Sequence, residues 1–230
     1  LMEGTENSLT DGEEYTFSDE YSSAADEEPN ACLYSKADLV IDGAGTLAVT
    51  ANYKNGVTGK DTLTIVSAAL SVEAVNHGIT GKDSLTAEHA ALTVASGGDA
   101  IRSTNDSDSS LGWIRLTDCT LDLTSGEDGV QAETGLTASG GTYKVVSGGG
   151  SGAGLSEDTS AKGLKAGSVL NLLSGSFTLD CADDALHSNG DVTVAGGSFV
   201  LSTGDDGIHA DETASVSDGT IEILTCYEGI

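Results

Sequence analysis

Two aspartate pairs, Asp183-Asp184 and Asp205-Asp206, stand 22 residues apart, and each is followed at the same distance by a histidine, His187 or His209. Glu127-Asp128 forms a third acidic pair. Carboxylates suit a hard cation: calcium takes six to eight oxygen ligands at about 2.3–2.6 Å. The histidines suit hydrogen bonding better than ligation of such an ion. For this chemistry to occur, residues 22 apart in sequence must be neighbours in space.

A repeat supplies the means. The triplets Asn55-Gly56-Val57, His77-Gly78-Ile79, Asp99-Ala100-Ile101, Asp128-Gly129-Val130, Lys162-Gly163-Leu164, Asp184-Ala185-Leu186, Asp206-Gly207-Ile208 and Glu228-Gly229-Ile230 align, with anchor steps of 22, 22, 29, 34, 22, 22 and 22. Leu33 extends the series backward by 24. A second column reads Leu63, Leu85, Ile114, Leu136, Leu170, Val192, Ala214, and a third Leu70, Leu92, Leu121, Tyr143, Phe177, Phe199, Ile221, always seven residues after the second. Each column sits in a short segment of alternating polarity, bounded by glycine-rich turns, which reads as a strand. Three strands per 22-residue coil predict an all-β, right-handed parallel β-helix, in which a coil buries its apolar side only against its neighbours. An antiparallel sandwich gives no reason for a fixed 22-residue recurrence. Residues 1–230 read as one domain, with an acidic, irregular N-terminal stretch over 1–30 and regular coils over 31–230. Both ends read as cut.

The unequal steps point to a working face. Seven extra residues follow Ile101, around Thr104-Asn105-Asp106-Ser107-Asp108, and twelve precede Leu164, across Gly148-Gly149-Gly150-Ser151-Gly152. Insertions in solenoids gather on the binding side, so both flank the first strand column. Outward positions there carry Asn55, His77, Asp99, Asp128, Lys162, Asp184 and Asp206 two before the anchors, and Arg102, Gln131, Lys165, His187 and His209 one after. Glu133, Asn189 and Asp211 follow three after. With rungs about 4.8 Å apart, Asp183, Asp184, Asp205 and Asp206 converge on a calcium site, which Asp211 extends. Glu127 and Asp128, with Glu133 and Asp99, form a second. Stacked like charges are costly without such an ion. Asp-Gly and Asp-Ala are also ordinary turn chemistry, which accounts for single aspartates but not for repeated pairs. Lys162 reads as a bridging ion pair. Lys165 is either a general base or a neutralising charge. His187, Asn189 and His209 are candidate sugar hydrogen-bonding groups, and Trp113 is either a sugar-stacking platform or a loop anchor. Thr64, Thr86, Thr137 and Thr193 form an outward ladder on the second column, interrupted by Arg115, Asn171 and Ser215.

Composition narrows the partners. The 230 residues include 37 acidic and 9 basic ones, a formal net charge of −28. That excludes the basic stripe nucleic acid requires and disfavours an anionic membrane surface. No apolar run is long enough for a transmembrane helix, so no direct membrane insertion is expected. Aromatics are 4% of residues, so the core must rest mainly on small aliphatic side chains. Cys32, Cys119, Cys181 and Cys226 form no C-x-x-C pair, which argues against zinc or redox chemistry. Cys181 and Cys226 fall about two rungs apart, beyond disulfide reach, so free core thiols are expected.

The stretches Ala182-Asp183-Asp184-Ala185-Leu186-His187-Ser188-Asn189-Gly190 and Gly204-Asp205-Asp206-Gly207-Ile208-His209-Ala210-Asp211 resemble the clostridial family of carbohydrate-binding β-helix proteins, as do Glu3-Gly4-Thr5-Glu6-Asn7-Ser8-Leu9-Thr10-Asp11 and Gly81-Lys82-Asp83-Ser84-Leu85. The resemblance covers nearly the whole chain. It implies an extracellular or cell-surface protein, similar in architecture to family-nine pectate lyases, that binds calcium and plant cell-wall polysaccharide, whether pectin, polygalacturonate or cellulose. It also implies about two further coils before Leu1 and more sequence after Ile230. Two functions compete: a calcium-dependent module for acidic polysaccharide, and a pectate lyase using calcium with Lys165 as base. A rigid adhesin spacer is a third.

Overall fold

The computed structural model describes residues 1–17, 28–155 and 159–230. These form three all-parallel sheets, two of eight strands and one of nine, each adding one strand per coil. The chain is a parallel β-helix. The first sheet runs from the strand Ala31–Ser35 to Ile208–Ala210, the second from Leu39–Asp42 to Thr213–Val216, and the third from Glu6–Thr10 to Thr220–Thr225.

Register follows the repeat. Leu33, Val57, Ile79, Ile101, Val130, Leu164, Leu186 and Ile208 pair in sequence along the first sheet. The second column runs from Leu63 to Ala214, and the third from Leu70 to Ile221. Each column lines the interior, and Val57 through Ile208 are at most 2% exposed. The regular stack also begins before the first cysteine. Glu6–Thr10 pairs with Thr46–Ala51, placing Asn7 beside Leu47 and Leu9 beside Val49. Asn7 at an inward register hid this rung from the aliphatic pattern. Residues 18–27 of the acidic stretch lie outside the described residues.

Stacking like on like lets flat rings share faces. Tyr143, Phe177 and Phe199 occupy consecutive inward positions with centroids 4.4 and 4.5 Å apart and planes 8° and 2° from parallel. The residue before each first-sheet anchor meets a different limit. A Cβ at Gly129 would overlap Val145 Cγ1 of the third sheet and lie 2.6 Å from the carbonyl oxygen of Gly163. From Val57 onward this corner therefore holds glycine or, at Ala100 and Ala185, the smallest side chain; Cys32 precedes Leu33 in the first rung.

The cysteines are free, as expected. Cys119 and Cys181 are core thiols, and burial pushes Cys181 up to about 12. Cys226 lies exposed after the third-sheet strand Thr220–Thr225 and not among the core thiols.

The ring column makes a stability prediction. Phe177→Ala is expected to cost about 3–5 kcal/mol, read as a lowered urea midpoint, whereas Thr178→Ala on the outer side of the same strand should change it by about 0.5 kcal/mol or less. Equal losses would mean that the rings contribute no packing of their own.

Candidate functional site

Both insertions rise beside the first sheet, and a groove of about 400 Å³ lies between them, lined by Thr104 of one, Thr159 and Ser160 of the other, and Asp99, Arg102, Glu127, Asp128, Gln131, Glu133 and Lys165 on the sheet. Asn105 organises the first wall. Its Nδ2 donates to Asp83 Oδ1 at 2.6 Å, and its Oδ1 accepts from the N–H groups of Ser107 and Asp108, both at 3.1 Å. The second wall turns out of the helix through Gly148, Gly149 and Gly150, all at positive φ, where glycine is tolerated without steric cost. Residues 156–158 of this insertion lie outside the described residues. Ser160 ties it to the sheet by donating to Asp128 Oδ1 at 2.7 Å.

The column two residues before the anchors does not simply project outward. Its side chains turn along the axis and cap the backbone of the next coil. Asn55 Oδ1 accepts from the His77 N–H (3.2 Å), His77 Nδ1 from Asp99 (3.0 Å), Asp99 Oδ1 from Asp128 (3.1 Å), Asp128 Oδ1 from Lys162 (2.8 Å) and Asp184 Oδ1 from Asp206 (2.9 Å). A lysine cannot accept, so after Lys162 the Asp184 N–H turns to Asp183 Oδ1 at 2.9 Å. Asp128 is only 2% exposed and Asp184 only 4%. Turn chemistry thus explains part of the acidic repeat: these carboxylates satisfy buried amides.

A surplus of charge remains beyond that capping. Oxygens of Asp183, Asp184 and Asp205 lie within 4.8 Å of one another. Lys162 Nζ pairs with Asp183 and lies 3.6 Å from Asp184 Oδ2, the bridging role the sequence suggested. Burial, followed by the charges of Asp184, Asp206 and Asp183, raises the Asp205 carboxyl. For Asp184, burial acts in the same direction, but hydrogen bonds from His187 and the Asp206 N–H, together with Lys162, bring it below its ordinary value.

The remaining predicted residues divide between this cluster and other contacts. His187 bonds Asp184 Oδ2 and Asn189 Oδ1, both at 2.8 Å, and His209 repeats the pattern with Asp206 and Asp211 at 3.1 Å. The imidazoles stack 4.8 Å apart. Asp206 and Asp211 therefore serve His209, outside the three-carboxylate group. The recurring D-x-x-H-x-[N/D] spacing was the signal for these clamps. Asp128 receives Lys165 Nζ at 3.0 Å, while Glu127 groups with His77 and Asp99; Asp99, Glu127, Asp128 and Glu133, the expected second acidic site, all line the groove. Lys165 Nζ also donates to Ser160 Oγ at 3.1 Å. Trp113 opens the second-sheet strand Trp113–Thr117, under the Arg115 guanidinium, and is absent from the groove lining.

A family profile described as carbohydrate-binding domain-containing protein matches residues 1–207. The chain belongs to this family. A curated relative of the same description from Acetivibrio thermocellus is 42% identical over 74 residues, a match covering 32% of this chain and 24% of the relative. The fold is also similar to that of a polysaccharide lyase-like protein from C. thermocellum, solved as a gadolinium derivative, with a TM-score of 0.59 and 21% identity. That alignment covers 96% of this chain and 66% of the solved one, and it speaks for the fold alone. Carbohydrate is thus the ligand class of the family.

The histidine clamps predict a pH effect. The bond to Asp206 raises the His209 pKa above 6.5, against the opposing effect of burial, with Asp211 adding to it. A raised folded value means stabilisation that is full below the unfolded value and lost as pH rises through the folded one. In chelator, the melting temperature should fall as pH climbs from below 6.5 through that raised value. Asp206→Asn should flatten this segment; an unchanged slope would remove His209 as its source.

Proposed function

We propose that this chain is an extracellular or cell-surface module that binds acidic plant cell-wall polysaccharide, such as polygalacturonate, through calcium. The observation that carries the reading is the convergence of Asp183, Asp184 and Asp205 within 4.8 Å. Two oxygens on opposite sides of a calcium ion stand about 4.6–5.2 Å apart, so the spacing fits. The raised Asp205 carboxyl supports the same conclusion, since crowded carboxylates are relieved by a cation. These three residues would hold the ion, which supplies charge neutralisation for a uronate carboxylate when bound. Lys162 competes for the same oxygens and keeps the cluster tolerable without calcium.

The groove favours an acidic glycan over a neutral glucan such as cellulose. Among the described residues its lining has no aromatic platform, and its four carboxylates beside Arg102 and Lys165 would admit a uronan only through bridging cations. A binding role is also favoured over lyase chemistry. A general base needs a free lone pair within reach of its proton, whereas the Lys165 ammonium donates to Asp128 and Ser160.

Retention on immobilised polygalacturonate should require calcium and disappear in chelator, with no unsaturated uronide accumulating in the eluate. Calcium should raise the melting temperature, and Asp205→Asn should remove most of that rise. Identical melts with and without calcium would defeat the proposal. Release of unsaturated product that Lys165→Ala abolishes would replace it with the lyase reading. Lys162→Met should tighten calcium binding while lowering the stability of the chelated protein. Weaker calcium binding in that variant would mean that the lysine supports the site instead of competing for it.

A further inference from the structure

Lys60, Lys82, Arg102, Lys162 and Lys165 lie in or beside first-sheet strands, in a chain with 9 basic and 37 acidic residues. Lys162 and Lys165 are committed to Asp183 and Asp128. The other three gather toward the N-terminal end of the same face. There a recess of about 90 Å³ is walled by Thr58, Thr80, Lys60, Lys82 and Arg102, with Asn30 at its edge and no carboxylate among the described residues of its lining.

The local bonds leave this recess short of acceptors. Lys60 pairs with Glu28. Arg102 Nε donates to Thr80 Oγ1 at 3.2 Å, and its Nη1 lies 3.6 Å from Asp99 Oδ2. Among the described residues, no carboxylate pairs with Lys82. Lys60 and Lys82 directly follow the paired residues Gly59 and Gly81, which sets two lysines at the same register one rung apart. Beneath them Thr58, 5% exposed, buries a hydroxyl with no hydrogen-bond partner. A buried hydroxyl without a partner carries a desolvation cost that a ligand oxygen would remove.

We infer that this recess is a metal-independent subsite for a sugar carboxylate, held by the Lys82 ammonium and the Thr58 hydroxyl. The inference rests on the acidic-polysaccharide reading and adds a contact that calcium does not mediate. The Ile79 and Leu186 rungs are four steps apart, about 19 Å at the usual strand spacing. One uronan chain lying along the axis would thus meet an ammonium at one end of the face and the acidic cluster at the other.

Calorimetric titration of the whole chain with sodium trigalacturonate in excess chelator tests this. Binding should persist without calcium, weaken about tenfold or more in Lys82→Gln, and be largely retained in Lys82→Arg. Thr58→Val should also weaken it without lowering the melting temperature, while Lys144→Gln, on the third sheet, controls for overall charge and should leave it unchanged. Asp205→Asn should keep this chelator-resistant binding. If the chelated protein is silent and calcium restores binding, the subsite fails and the calcium reading stands. Silence under both conditions defeats both. Chelator-resistant binding that Lys82→Gln leaves intact also overturns the subsite.

Discussion

Parallel register is the constraint on which this molecule depends. Each coil lays its residues against the equivalent residues of the next, so a separation of 22 in sequence becomes about 4.8 Å in space. The rule makes no distinction between side chains. It sets leucine on leucine and ring on ring in the interior, where the contact is favourable. On the outer face it sets carboxylate near carboxylate and ammonium near ammonium, where it is not.

The aspartates show how that cost is met. Asp99, Asp128 and Asp184 turn along the axis and accept the N–H of the next coil, so their charge is spent on backbone that would otherwise be buried unpaired. Lys162 and Lys165 offset more of it. Asp205, still crowded by its neighbours, holds its proton more tightly. One acidic motif thus does two jobs: one member holds the coil and the adjacent one faces solvent.

The three inward columns were legible because period-two alternation and a fixed coil length belong to the backbone. Val57 to Ile208 pair as the spacing implied. The face bearing the groove was legible from two unequal steps in the repeat. Side-chain direction was not. Nothing in the column of Asn55, His77 and Asp99 distinguishes an outward carboxylate from one bent over the next amide, so Asp128 and Asp184 read as more exposed than they are. The histidine clamps on Asp184, Asp206 and Asp211 depend on rotamers, which spacing alone does not show. Trp113 sits immediately after an insertion that walls the groove, yet strand pairing carries it onto the second sheet. Asn7 hid a whole rung by occupying an aliphatic position.

From the coil of Leu63 onward the turn from the second sheet to the third keeps one length, while both insertions enter at the corners beside the first. Residues added at those corners heighten a wall without shifting any inward column. Such a scaffold can acquire a new specificity through indels alone, its hydrophobic interior untouched, and homologues should differ in loop length at two corners long before they differ in cross-section.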